Sequence, residues 1–458
     1  ERIQKRRRAR NRPTGSRNRL ADLSIRQERF GPARQSATTD SFVSAAGGPM
    51  ANVEQKPERL HALDAVRGFA LLLGIVLHAT LSFLPSPTRI WVIQDSHPSI
   101  MLGVLFFAIH VFRMTTFFLI AGFFAHLSFH RRGTWGFIGD RLQRIALPLV
   151  VGWSILFTLM GVVIFWAASF PNGGPLPGPP RWPPVLPRFP LTHLWFLYVL
   201  LELYAALLVL RAGVAWLDQT GHLRDRLDRL VGLVMRSRFA PAIMALPIGI
   251  ALCLDPTWSG WLGVRTPDSS LVTNSQALIG FGTAFGFGWL LHRQVDLIKI
   301  LERRWLLNLV LATVLITASF FLAIASVLQP PPVGYEAIRL AGAACYALAI
   351  WTTTFAAIGL ALRFLSDFSP ARRYLADASY WLYIIHLPIL MALQVAVSQL
   401  DWPWPVKFGA IMLVALPFMF ASYQFLVRYS FLGAVLNGRR VRRGGQLGPT
   451  AAADSAAV

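Results

Sequence analysis

From residue 60 onward the chain is dominated by ten apolar stretches, at about 63–84, 100–128, 145–168, 194–210, 239–255, 273–291, 305–328, 336–362, 376–398 and 406–427. A helix rises about 1.5 Å per residue and the hydrocarbon core of a bilayer is about 30 Å thick, so each stretch is long enough to cross. The fold expected is an all-α integral membrane protein of about ten transmembrane helices. Composition agrees: 54% of the residues are apolar and only 14% charged, against roughly 25% charged in soluble domains. The second stretch is too long for a simple crossing, which predicts a tilted helix or one broken near Gly122.

The formal net charge of +22 invites a nucleic-acid reading, so its distribution matters. Alternate loops hold 17 Lys and Arg, including Arg131, Arg132, Arg141, Arg144, Arg293, Arg372 and Arg373; the opposite loops hold six, Arg89, Arg181, Arg188, Arg265, Arg339 and Lys407. That asymmetry is the positive-inside pattern, and it puts both termini in the cytoplasm of a bacterial inner-membrane protein. The first 60 residues hold 14 basic residues and no apolar run, so 1–57 reads as a disordered basic tail without the apolar middle of a signal peptide. Met50 opens a stretch resembling an ordinary bacterial start, which makes the residues before it dispensable. The transmembrane domain is expected over 58–436, with a second disordered tail over 437–458.

The remaining punctuation reads as structural. The Pro- and Gly-rich segment from Pro171 to Pro190 cannot be helical. Trp182, Trp402 and Trp404 in the external loops suit an interfacial aromatic belt, with sugar stacking as the alternative. In the sixth stretch the spacing of Gly282 and Gly286 permits close helix packing. Cys253 and Cys345 lie inside apolar runs and read as small core residues, not as a disulfide or metal pair. No short-spaced His cluster suggests a metal site.

Polar groups inside the stretches carry the functional signal, because a titratable side chain at the bilayer centre is costly and by default faces a protein interior or wet cavity. Arg67 and His78 stand eleven residues apart, close to three whole turns, so they share one face and lie about 16 Å apart along it. That is a basic anchor at the cytoplasmic mouth with a proton-transfer group deep beyond it. Arg141 and Arg144, three apart, present two guanidinium forks suited to phosphate. His110 and Arg113 lie about mid-membrane in the second stretch, and Glu202 lies in the fourth. Ser379, Tyr383 and His386 share a face of the ninth, with Tyr380 beside them and Pro388 just after. Spacing alone does not pair these groups with one another.

Five segments together resemble the acyltransferase-3 family of integral-membrane acyltransferases: Arg59-Leu-His-Ala-Leu-Asp-Ala-Val-Arg-Gly-Phe-Ala with His78 following, Phe112-Arg-Met-Thr-Thr-Phe-Phe-Leu-Ile-Ala-Gly-Phe-Phe, Arg141-Leu-Gln-Arg144, His193-Leu-Trp-Phe-Leu-Tyr, and Ser379-Tyr-Trp-Leu-Tyr-Ile-Ile-His386. They occur in the family's order across 59–388 and are most similar to the branch that decorates periplasmic glucans. Thr115 and Ala121 depart from it, standing where the family often has Pro and Ser.

The resemblance implies an enzyme that moves an acyl group, succinyl or acetyl, from cytosolic acyl-CoA to a hydroxyl of a periplasmic glycan, with no tightly bound cofactor. It implies that Arg67, Arg141 and Arg144 hold the CoA and that His78 is the general base, a covalent acyl-histidine being the alternative. Glu202, Tyr383 and His386 are candidates to orient the base or stabilise the oxyanion, and His110, Arg113 and Ser379 candidates to face substrate. Arg113 is the candidate cation for a second carboxylate on the acyl group. The competing reading is a secondary transporter or flippase for an anionic glycan precursor, since buried Arg, Glu and His also suit a proton-coupled carrier. An anchor for nucleic acid would rest on the basic tail alone.

Overall fold

The computed structural model describes residues 58–86, 89–176, 188–327 and 334–437. The basic tail over 1–57, Met50, Trp182 with most of its Pro-rich loop, and the chain from 438 lie outside the described residues. Thirteen α-helices follow in order: α1 Glu58–Thr80, α2 Ile100–Arg141, α3 Leu147–Ala167, α4 Trp195–Leu217, α5 His222–Arg236, α6 Ala240–Cys253, α7 Ser275–His292, α8 Ile298–Arg303, α9 Trp305–Val327, α10 Tyr335–Phe364, α11 Pro370–Ser398, α12 Trp404–Ser422 and α13 Phe431–Asn437. Their starts are encoded locally. The Ser99 hydroxyl accepts from Leu102 N–H at the head of α2, and the Asn274 side chain from Ala277 N–H at the head of α7. Ser369 does the same for α11, whose first residue is Pro370. Each satisfies a donor that the first turn would otherwise leave orphaned.

Seven helical stretches among the described residues are long and apolar enough to cross a membrane, or eight if the bent pair α5 and α6 forms one span. The ten apolar stretches map onto these helices unevenly. One of the seven runs 68 residues, Ile100–Ala167, and contains two expected crossings. The stretch expected at 239–255 is the 14-residue α6, about 21 Å long and so shorter than the hydrocarbon core. It meets the charged helix α5 at 109°.

Helix α10 is the most enclosed of the candidate spans and packs against α1, α2, α6 and α9, while α1 also packs on α2 and α11. The face of α9 carries exposed Leu, Val and Phe side chains, as suits lipid. The expected break at Gly122 does not occur; α2 is interrupted at Gly133, which takes φ +67°. Gly122 instead admits a neighbour, since a Cβ there would collide with the Phe285 carbonyl, and a Cβ on Gly288 would collide with the Leu119 carbonyl. These two glycines make the α2–α7 crossing, whereas Gly286 faces open space and Gly282 makes only an ordinary contact.

Between α2 and α3 the chain takes one π-helical turn, Leu142–Ala146. Pro148 lies just beyond and has no N–H to give to the carbonyl four residues back, that of Arg144. The Tyr380 hydroxyl donates to it instead, at 2.6 Å. Pro388 likewise frees the Ile384 carbonyl of α11, which accepts from His193 Nε2–H at 2.9 Å. Both helix breakers are thus converted into ties between distant segments.

Candidate active site

Two adjoining cavities lie among α1, α2, α4 and α11. The larger, about 480 Å³, is lined by six arginines, Arg67, Arg131, Arg132, Arg141, Arg144 and Arg373, with Asp64, Asp140 and Asp377 among them. The smaller, about 30 Å³, has room for a water or two and is lined by His78, Arg113, His193, Tyr383 and His386. Leu71, Phe117, Phe196 and Tyr383 line both and form the boundary between them.

Helix α1 links the two. Arg67, Leu71, Gly74 and His78 follow one another at helical spacing along a single stripe, with Arg67 in the larger cavity and His78 in the smaller. Gly74 is required by its surroundings: a Cβ there would collide with Nη1 of Arg113, so the guanidinium rests against bare backbone. Arg113 Nε is buried without a hydrogen-bond partner. Among the described residues no carboxylate stands within ion-pairing distance of Arg113.

In the arginine-lined cavity the charges are organised by acids. Asp140 Oδ1 lies 3.0 Å from Arg144 Nε and 3.0 Å from Arg132 Nη1, and its other oxygen is 3.6 Å from Arg141. The Arg141 guanidinium is sandwiched by Phe137 and Tyr204, 4.8 Å from each ring centre. Arg67 pairs with Asp64 at 3.2 Å.

Three histidines meet in the smaller cavity. The His386 ring centre is 5.1 Å from that of His78 and 5.1 Å from that of His193. His386 Nδ1 is 2.6 Å from the Tyr383 carbonyl, so that nitrogen carries the proton and Nε2 the lone pair. His386 Nε2 and His78 Nδ1 are both buried without a partner. The Tyr383 hydroxyl donates to the His193 carbonyl at 2.7 Å, and Thr192, just before it, takes the uncommon φ of +54°.

The remaining expected site residues fall elsewhere. Glu202 lines neither cavity and accepts a 2.6 Å hydrogen bond from Thr273, so it does not meet His78. His110 also lines neither cavity and stacks on Phe106 at 5.3 Å. Ser379 lines the larger cavity with its hydroxyl donated to the Ala376 carbonyl. Spacing does not single out His193, Asp140 or Arg132, and it places Tyr380 only beside the polar face of the ninth stretch. Pro388 and Pro148 mark in sequence the carbonyls left free for a donor, those of Ile384 and Arg144, but not which residues fill them.

A helical membrane protein with a cationic cavity adjoining a cluster of buried histidines has the form of a membrane-embedded group-transfer enzyme. The chain belongs to the acyltransferase-3 family, whose profile, described as an acyltransferase domain, matches residues 60–424. It is similar to the proteins named "Glucans biosynthesis protein C" from Salmonella paratyphi B and Salmonella heidelberg, at 28% identity over 145 residues, 32% of this chain. The match covers 37% of the length of those relatives. No solved structure matches the chain.

Proposed function

We propose that the protein transfers an acyl group from cytosolic acyl-CoA to a hydroxyl of a periplasmic glycan across the bacterial inner membrane, with both termini cytoplasmic. The observation that carries this reading is the stripe on α1 that joins the arginine-lined cavity to His78. Phosphates of CoA are held by Arg141 and Arg144, with Arg67 and Arg132 nearby, because paired guanidinium forks match phosphate oxygens. The pantetheine arm follows α1 past Leu71 and brings the thioester to His78. A glycan is favoured as acceptor by the printed name of the relatives.

The chemistry follows from the tautomers. His386, with its proton on Nδ1, turns the lone pair of Nε2 into the cavity it shares with His78, and His78, its neighbour at 5.1 Å, takes the hydroxyl proton on a ring nitrogen. The hydroxyl oxygen attacks the thioester carbonyl, the C–S bond breaks, and the departing thiolate receives the proton from His78. General-base help of this kind contributes about 10²–10⁴ in rate. Arg113 stands where it can face the developing oxyanion or a second carboxylate on the acyl group, the latter favouring succinyl as donor.

Release of CoA by the purified protein in detergent tests this reading, with acetyl-CoA or succinyl-CoA and with or without a soluble glucan. Acceptor-stimulated release that depends on His78 is expected. A folded protein that releases no thiol with any pairing would transfer the weight to a transporter or flippase.

A further inference from the structure

The arginine-lined cavity adjoins the His78 cavity from one end of the helix bundle, which leaves the other end for the acceptor hydroxyl. Of the two rings that face His78, His386 belongs to the cavity, while Trp91, with its ring centre 6.1 Å from that of His78, lines neither cavity. Trp91 follows the end of α1 in the chain, and Gln394, its partner, lies about 12 Å beyond His386 along α11. Both therefore mark the end of the bundle away from the arginines.

The indole is held in register with the catalytic helix. Trp91 Nε1–H donates to Gln394 Oε1 at 2.7 Å, and the Gln394 amide donates to the carbonyls of His78 at 3.0 Å and Ala79 at 3.1 Å. One buried amide thus fixes the end of α1 and the angle of the indole together. The segment carrying Trp91 is pinned on both sides. Arg89 donates to the carbonyls of Val92, Gly174 and Pro175, and Asp95 is clasped by Lys407. Trp91 itself is only partly covered, so this scaffolding presents an indole that is still in part open.

We infer that Trp91 is an acceptor-binding residue, a stacking surface for a pyranose ring that sets one sugar hydroxyl against His78 and screens the thioester from water. The inference rests on the acyl-transfer reading above. A flat, partly open indole, rigidly held beside the base, suits the C–H face of a sugar and offers little to a small flexible alcohol.

The test compares wild type, Trp91→Ala and Trp91→Phe with a soluble glucose oligosaccharide and, separately, glycerol as acceptor, reading CoA release. Trp91→Ala is expected to raise the oligosaccharide KM about tenfold or more while leaving the acyl-CoA KM, and the glycerol-dependent release above the acceptor-free rate, within about twofold. Acceptor-independent thioester hydrolysis should rise in the same variant. Trp91→Phe, which keeps an aromatic face, should recover most of the oligosaccharide affinity. An oligosaccharide KM unchanged in Trp91→Ala, or equal losses for both acceptors and the donor, would overturn the assignment. Wild-type protein that releases CoA with neither acceptor would instead overturn the acyl-transfer reading itself, and the assignment with it.

Discussion

Asp140 and Arg144 are separated by one helical turn and joined at 3.0 Å, with a carboxylate only 6% exposed that also reaches Arg132. The π-helical turn and Tyr380 hold the backbone beneath them. Arg144→Ala should therefore weaken acyl-CoA binding, and Asp140→Ala should raise the donor KM about tenfold through loss of guanidinium alignment, with kcat retained. Steady-state CoA-release kinetics would check both; a fall in kcat at constant KM would move these residues from anchoring to chemistry.

On the proposed mechanism, His78→Ala should lower turnover about 10²–10⁴-fold while acyl-CoA still binds, because the proposed base is lost and the arginines remain. Binding measured calorimetrically alongside turnover separates the two effects, and wild-type turnover in the variant would remove His78 from the mechanism.

Arg113→Gln should lower succinyl transfer at least about tenfold relative to acetyl transfer, since the guanidinium without a carboxylate partner is replaced by a shorter, neutral amide. The ratio of kcat/KM for the two donors is the readout. Equal losses with both would assign Arg113 to the oxyanion instead.

Lys407 and Asp95 form an ion pair of which 0% and 1% of the side chains are exposed, with both carboxylate oxygens 2.9 Å from Nζ. Lys407→Met should cost about 3–5 kcal/mol, because it strands a buried carboxylate, and the double variant with Asp95→Asn should regain much of that. Thermal unfolding in detergent of both singles and the double would measure the coupling.

Much of the fold is local and was therefore legible. Apolar length marked the helices, and the eleven-residue interval put Arg67 and His78 on one stripe because helical period depends on nothing distant. The failures share a cause. Glu202 looks like Arg113 in sequence, a charge within an apolar stretch, yet Thr273 satisfies one and no described carboxylate pairs with the other. Which partner a buried group finds is decided by packing across the bundle. The same holds for His193 and Trp91, tied to α11 through Ile384 and Gln394, nearly two hundred and some three hundred residues away. The charges of Arg131, Arg132 and Arg373 had a sufficient explanation in topology, which concealed their place in the cavity.

A helix barely stretches, and the stripe on α1 places Arg67 and His78 about 16 Å apart by backbone geometry alone. The first helix is thus a gauge as well as a wall. A thioester whose arm is shorter than that interval meets the arginines or the histidine, never both at once. If the donor is the proposed acyl-CoA, truncated donors should accordingly occupy the cavity as competitive ligands without giving up their acyl group, and discrimination among thiols would be a measurement of length made by eleven peptide units.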